Sequence, residues 1–222
     1  MLQSRPGVCK EGFPYIGLGV FVTLTMAIMG WTIPALVGLI LTILTLNFFR
    51  DPEQVTPREP GLAIAPADGK IVFIGLAVDP ATGKTRQKVS IFMNVFNVHV
   101  NRTPVTGKVE KITYFAGKFL NASLDKASED NERNQFRIVD EFGHGWTMVQ
   151  IAGLVARRIV CWAEEGDEVT RGQRIGLIKF GSRVDLYLPE EYELCVTQRQ
   201  KTFAGLTVMA KLKAQPNLPE AS

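Results

Sequence analysis

Histidine and cysteine are both scarce in this chain of 222 residues, which has two of the first (positions 99 and 144) and three of the second (9, 161 and 195). Cysteines so widely spaced make neither a paired metal motif nor a disulfide framework. They read as thiols of a reducing compartment, Cys161 and Cys195 as small core hydrophobes. A G-x-S-x-G elbow is missing, which argues against a membrane-anchored serine peptidase. Excess charge is missing too. Without Arg5, Lys10, Glu11 and Arg50, the rest of the chain holds 22 basic and 21 acidic residues, so the pI of 8.8 reflects no basic face for nucleic acid. With 46% hydrophobic and 21% charged residues, the chain is neither disordered nor fibrous.

The most informative absence is local. From position 12 to position 49, about 38 residues pass without Asp, Glu, Lys or Arg, and this run raises the mean hydropathy to +0.08. As one helix it would span roughly 57 Å, nearly twice a hydrocarbon core of about 30 Å. Two short spans fit instead, at about 13–30 and 33–49, turning at Gly30-Trp31-Thr32-Ile33-Pro34. Arg5 and Lys10 before the run and Arg50 after it put both ends in the cytoplasm by the positive-inside rule. The expected location is the cell (inner) membrane, with the body on its cytoplasmic face. A cleaved signal peptide would have a shorter apolar core and a small-residue cleavage site, and Leu46-Asn47-Phe48-Phe49-Arg50 is not one.

Residues 51–60, with three prolines and four charges, read as a linker between residues 1–50 and a body of residues 61–222. In the body, short β-like runs fall at 70–74, 88–92, 96–100, 107–112, 136–139, 146–151, 158–162 and 184–188, punctuated by Gly, Pro, Asn and Asp. The fold class is therefore mainly β with few helices. The best helical candidate is 120–133. An E-G-D-x-V turn at 165–169 and a G-Q-x-I-G turn at 172–176 resemble the hairpins of the barrel-sandwich hybrid of biotinyl and lipoyl domains.

Directly after those hairpins comes Phe180-Gly181-Ser182-Arg183-Val184-Asp185. Alone, a Gly-Ser pair means a turn. Together with Pro66-Ala67-Asp68-Gly69-Lys70, Asn97-Val98-His99-Val100-Asn101-Arg102, Pro104-Val105-Thr106-Gly107, Gln150-Ile151-Ala152-Gly153 and Ala156-Arg157-Arg158-Ile159, it resembles the phosphatidylserine decarboxylase proenzymes, in their short bacterial and archaeal-type branch. The resemblance runs from about residue 50 to 210.

The resemblance implies a lyase of phospholipid biosynthesis that makes its own cofactor. Ser182 would attack the Gly181 carbonyl, split the chain into a β chain (1–181) and an α chain (182–222) that stay associated, and become a pyruvoyl group. Its ketone would form a Schiff base with phosphatidylserine and act as electron sink while carbon dioxide leaves, giving phosphatidylethanolamine. No metal and no PLP would be needed, no nucleic acid is a partner, and a homo-oligomer is left open. His99 would be the catalytic base, oriented by Asp68, whereas His144 reads as an exposed turn residue. Arg157, Arg158, Lys118 and Arg183 are the candidates for the substrate phosphate. Two other readings are a membrane-tethered biotinyl or lipoyl carrier domain, with Lys179 as its attachment point, and another pyruvoyl-dependent amino-acid decarboxylase.

Overall fold

The computed structural model describes residues 7–117, 131–153, 158–179 and 181–213. Strand β1 (Gly7–Val8) leads into α1 (Phe13–Ile28) and α2 (Thr32–Phe48), and β2 (Arg50–Asp51) returns antiparallel to β1. With the 3-10 turn Lys10–Gly12, the first helix runs 19 residues, long and apolar enough to cross a membrane, while Thr32–Phe48 is shorter, at 17 residues. The first span stops at Ile28 rather than 30, because Gly30, at φ +77°, makes the turn, and the second runs from Thr32 to Phe48 rather than 33–49.

The two helices pack closely through small residues. A Cβ at Gly19 would meet the Thr42 side chain and one at Gly38 the Thr23 side chain, and the two threonine hydroxyls lie 3.4 Å apart. No residue of α1 is buried, and Phe48 alone is buried in α2. A helix hydrophobic all round belongs in a protein core or in lipid, and these helices are not in the core. The apolar helix points to membrane association.

The body comprises β3 (Leu62–Ile64), β4 (Gly69–Val78), β5 (Thr85–Met93), β6 (Val100–Arg102), β7 (Gly107–Phe115), β8 (Arg133–Asp140), β9 (Gly145–Ala152), β10 (Ile159–Cys161), β11 (Glu168–Val169), β12 (Arg174–Ile178), β13 (Ser182–Leu188), β14 (Tyr192–Leu194), β15 (Lys201–Thr202) and β16 (Val208–Leu212). The chain is mostly β, with 43% of the described residues in strands, as expected from the short alternating runs. The main sheet has eight strands in the order β11-β7-β8-β9-β13-β5-β4-β15 and curls into a half-barrel. Two three-stranded sheets, β10-β12-β6 and β14-β16-β3, complete the body.

Alternation puts Val89, Ile91 and Met93 of β5, Trp146, Met148 and Ala152 of β9, and Val184, Leu186 and Leu188 of β13 in one core. At about 1.5–3 kcal/mol for each fully buried large side chain, this face supplies most of the driving force for folding.

Two expectations need correction. The run 96–100 is a strand only from Val100. Before it, Asn97 Oδ1 accepts from Asn94 N and Asn94 Oδ1 from Phe96 N, both at 2.9 Å, so asparagine side chains hold the backbone in a turn. Cys161 and Cys195 are exposed, and Cys9 is the buried cysteine. Within the expected linker of residues 51–60, Asp51 is fully buried and bonded to Arg174 Nε at 2.8 Å. The helical candidate 120–133 falls outside the described residues except for 131–133, where Arg133 opens β8.

Candidate active site

Ser182 begins β13, the strand between β9 and β5, opposite Ala152 on one side and Met93 on the other. Its side chain faces the core with Val184 and Leu186 and is fully buried. The hydroxyl contacts the Met93 thioether at 3.8 Å. Just before it the chain leaves the extended region: Gly181 has φ +64°, left-handed backbone that costs a residue with a Cβ roughly 1–2 kcal/mol. A Cβ there would have open space, so conformation rather than crowding calls for glycine. The Gly181 carbonyl oxygen accepts the Gly153 N–H at 3.0 Å.

His99 sits next to β6, which pairs with β12, and its carbonyl accepts from Ile178 N, four residues before Ser182. The imidazole is fully buried beneath Phe48, their ring centroids 4.1 Å apart. Its Nδ1 lies 2.9 Å from the Asn97 carbonyl. A carbonyl only accepts, so Nδ1 carries the proton and Nε2 keeps its lone pair. Nε2 is buried with no hydrogen-bond partner among the described residues. Burial, with Arg50 adding to it, lowers the His99 pKa to about 4 against the pull of the Asn97 hydrogen bond, so the ring is neutral at pH 7.

Asp68 comes from the turn before β4, where a Cβ on Gly69 would strike the Phe92 carbonyl, so only glycine lets the chain pass. One carboxylate oxygen accepts from Ala204 N at 2.7 Å, and the Val98 N–H also bonds to the group. Burial raises its pKa above 3.8 against those bonds and the charges of Arg50 and Arg102. Asp68 therefore holds the backbone beside His99, while the Asn97 carbonyl orients the ring itself.

The phosphate candidates are scattered. Arg158 is exposed, and its carbonyl accepts from Lys179 N at 3.2 Å. Arg183 is buried on the opposite face of β13 from Ser182, with two 2.8 Å bonds to Asp185. Arg157 and Lys118 lie outside the described residues. His144 is in the β8–β9 turn, 3.7 Å from Glu191. That turn is at the far end of β9 from Ala152, some 23 Å away at about 3.3 Å per residue.

Four groups were not assigned from sequence. Asn101, Gln150 and Asn134 form a buried polar row, with Gln150 Nε2 on Asn101 Oδ1 at 2.8 Å and Asn101 Nδ2 3.7 Å from the Met93 sulfur that Ser182 touches. The signal was present for Gln150, the polar residue at a core-facing position between Met148 and Ala152. Phe48 gave no signal, because in sequence it is one more apolar residue of the hairpin.

The family model described as phosphatidylserine decarboxylase matches residues 41–210. The chain is similar to three curated proteins named phosphatidylserine decarboxylase proenzyme. That of Solidesulfovibrio magneticus is 55% identical over 95% of this chain and 99% of its own. That of Oleidesulfovibrio alaskensis is 55% identical over 97% and 99%, and that of Nitratidesulfovibrio vulgaris 54% identical over 95% and 97%.

Proposed function

The chain belongs to the phosphatidylserine decarboxylase family, and on that premise we propose that it cuts itself between Gly181 and Ser182 and then converts phosphatidylserine to phosphatidylethanolamine. The observation that carries this reading is a buried serine directly after a left-handed glycine, on the central strand of the sheet. There a hydroxyl is close to the preceding carbonyl and shielded from water. A base for the reaction is at hand: His99 Nε2 is buried with no partner among the described residues, and the His99 carbonyl is tied to Ile178 N, four residues before Ser182. Bound in place, a pyruvoyl group supplies a ketone for the substrate amine and a sink for the electron pair that carbon dioxide leaves behind.

The remaining work belongs to this chain's own side chains. His99 accepts the Ser182 proton and later returns a proton to the decarboxylated carbon. Asp68 and the Asn97 carbonyl fix the turn on which His99 is mounted. Phe48 keeps water off the imidazole. Arg158, together with Arg157 and Lys118, is available for the lipid phosphate. The hairpin of residues 1–50 holds the body of residues 61–222 at the cytoplasmic face of the inner membrane, and the β chain (1–181) and α chain (182–222) stay together because β13 lies between β9 and β5. A carrier-domain reading and a soluble amino-acid substrate are not favoured by the family assignment.

The test is the size of the purified protein. Wild type should run as fragments of about 181 and 41 residues, the smaller with a blocked amino terminus, and Ser182→Ala as one intact chain. An alanine variant that still splits there removes Ser182 from the role.

A further inference from the structure

We infer that the backbone N–H of Gly153 is the oxyanion donor of the self-cleavage, the group that receives the charge developing on the Gly181 carbonyl. The inference rests on the self-processing reading above and adds a catalytic group to it. In the first step the Ser182 Oγ forms a bond to the Gly181 carbonyl carbon and its proton passes to a base, here His99. The π pair of the carbonyl moves onto its oxygen. Collapse of that adduct restores the C=O bond and expels the Ser182 nitrogen, which takes up a proton and leaves Gly181 joined to Oγ as an ester. Loss of the Ser182 α-proton and of the Gly181 carboxylate then leaves dehydroalanine, and water converts this to the pyruvoyl group with release of ammonia. A negative charge develops on the carbonyl oxygen in the first step, and the same oxygen shares the charge again when Gly181 leaves as a carboxylate.

That oxygen already receives the Gly153 N–H at 3.0 Å. This bond is the end rung of the β9–β13 ladder, set by the Ser182↔Ala152 register. Past it Gly181 turns left-handed and the ladder stops. The donor is thus fixed by a sheet that is already folded and needs no rearrangement when the charge forms. Gly153, Ala152 and Ser182 are buried and Gly181 is half-buried, so water competes less and the interaction is stronger than in open solvent. The nearby guanidinium of Arg183 is turned to the other face of β13 and bonded to Asp185, and His99 Nε2 carries a lone pair, not a proton. The backbone amide is the group placed to stabilise an anion.

The test exchanges one atom. The full-length precursor is made by translation with hydroxy acids, into vesicles, with glycolic acid at position 153 so that this N–H becomes an ester oxygen. The matched control puts lactic acid at 152, removing an N–H that donates instead to the Glu132 carbonyl at 2.9 Å. Losing one oxyanion donor costs about 10²–10³-fold, so the 153 ester should split that much more slowly, and the 152 ester within a few-fold of wild type. Molecules of the 153 ester that have split should decarboxylate phosphatidylserine at the wild-type rate per α chain, because the Gly181 carbonyl is no longer a reacting group. Splitting of the 153 ester within a few-fold of wild type overturns the assignment. So do equal slowing of both esters, and a 153 ester that fails to fold while the 152 ester folds, either of which makes the bond structural. If wild type does not split, or Ser182→Ala does, the self-processing reading falls instead.

Discussion

His99 combines a proton held on Nδ1 by the Asn97 carbonyl with a bare, buried Nε2. Its pKa near 4 keeps it in the form a base needs throughout the neutral range. His99→Ala should therefore block splitting or slow it severely. Asp68→Asn should slow it more mildly, since it weakens the grip on the Val98 and Ala204 amides without touching the imidazole. His144→Ala should split and decarboxylate almost normally, being bound to Glu191 at the other end of β9. Chain splitting on gels and carbon dioxide release, followed separately, score the three variants. Wild-type splitting in His99→Ala would transfer the base to another group. Gly181→Ala should also slow splitting, by about tenfold, from the roughly 1–2 kcal/mol cost of a left-handed alanine.

The helical hairpin packs onto the body at one end. Phe49 stacks on Tyr15 at 5.6 Å, Phe48 lies over His99, and Arg50 donates to the Phe96 carbonyl at 2.7 Å. The apolar hairpin therefore also roofs the imidazole, and burial is the main cause of its lowered pKa. Phe48→Ala should let water in and move the His99 pKa up from about 4 toward 6.5. Imidazole chemical shifts in a Ser182→Ala precursor, titrated with acid, read this directly. An unchanged midpoint would mean that the body alone buries the ring.

At the scale of the molecule, hairpin and body are joined by charge. Asp51, fully buried, receives Arg174 and faces Arg102, and Arg174 also reaches Glu53 at 3.0 Å. Asp51→Ala takes the buried carboxylate away from Arg102 and Arg174, leaving Arg174 with Glu53 and Arg102 with backbone carbonyls, and removing one partner of a buried pair costs up to about 3–5 kcal/mol. The variant should unfold at a clearly lower temperature while still sedimenting with membranes. Deleting residues 1–50 should instead release the body from membranes that hold wild type through high salt or alkali. Acid should act through His99: the unfolded chain takes up a proton near pH 6.5 and the folded chain only near 4, so stability falls as pH drops across that window. Asp68 acts in the opposite sense, its raised pKa costing stability as pH rises above 3.8. Between pH 7 and 5 the melting temperature of the Ser182→Ala precursor should fall more than that of the same precursor carrying His99→Ala. Parallel curves would mean that His99 is not buried.

Much of this protein is local, and what is local was legible. Thirty-eight uncharged residues hold two apolar helices, and two-residue periodicity makes strands of 70–74, 88–92 and 184–188. Where side chains compete for the backbone, the pattern misled: apolar alternation predicted a strand at 96–100, and the Asn94 and Asn97 side chains turned it. What joins residues distant in sequence came only with the tertiary structure. Asn97 rather than Asp68 orients His99, Phe48 from the hairpin covers it, and Gly153 supplies an amide to Gly181. Side-chain type and spacing fix which element a residue joins, because that depends on neighbours a few positions away. Which groups meet depends on strand order and register, because pairing β13 between β9 and β5 sets contacts across dozens of intervening residues.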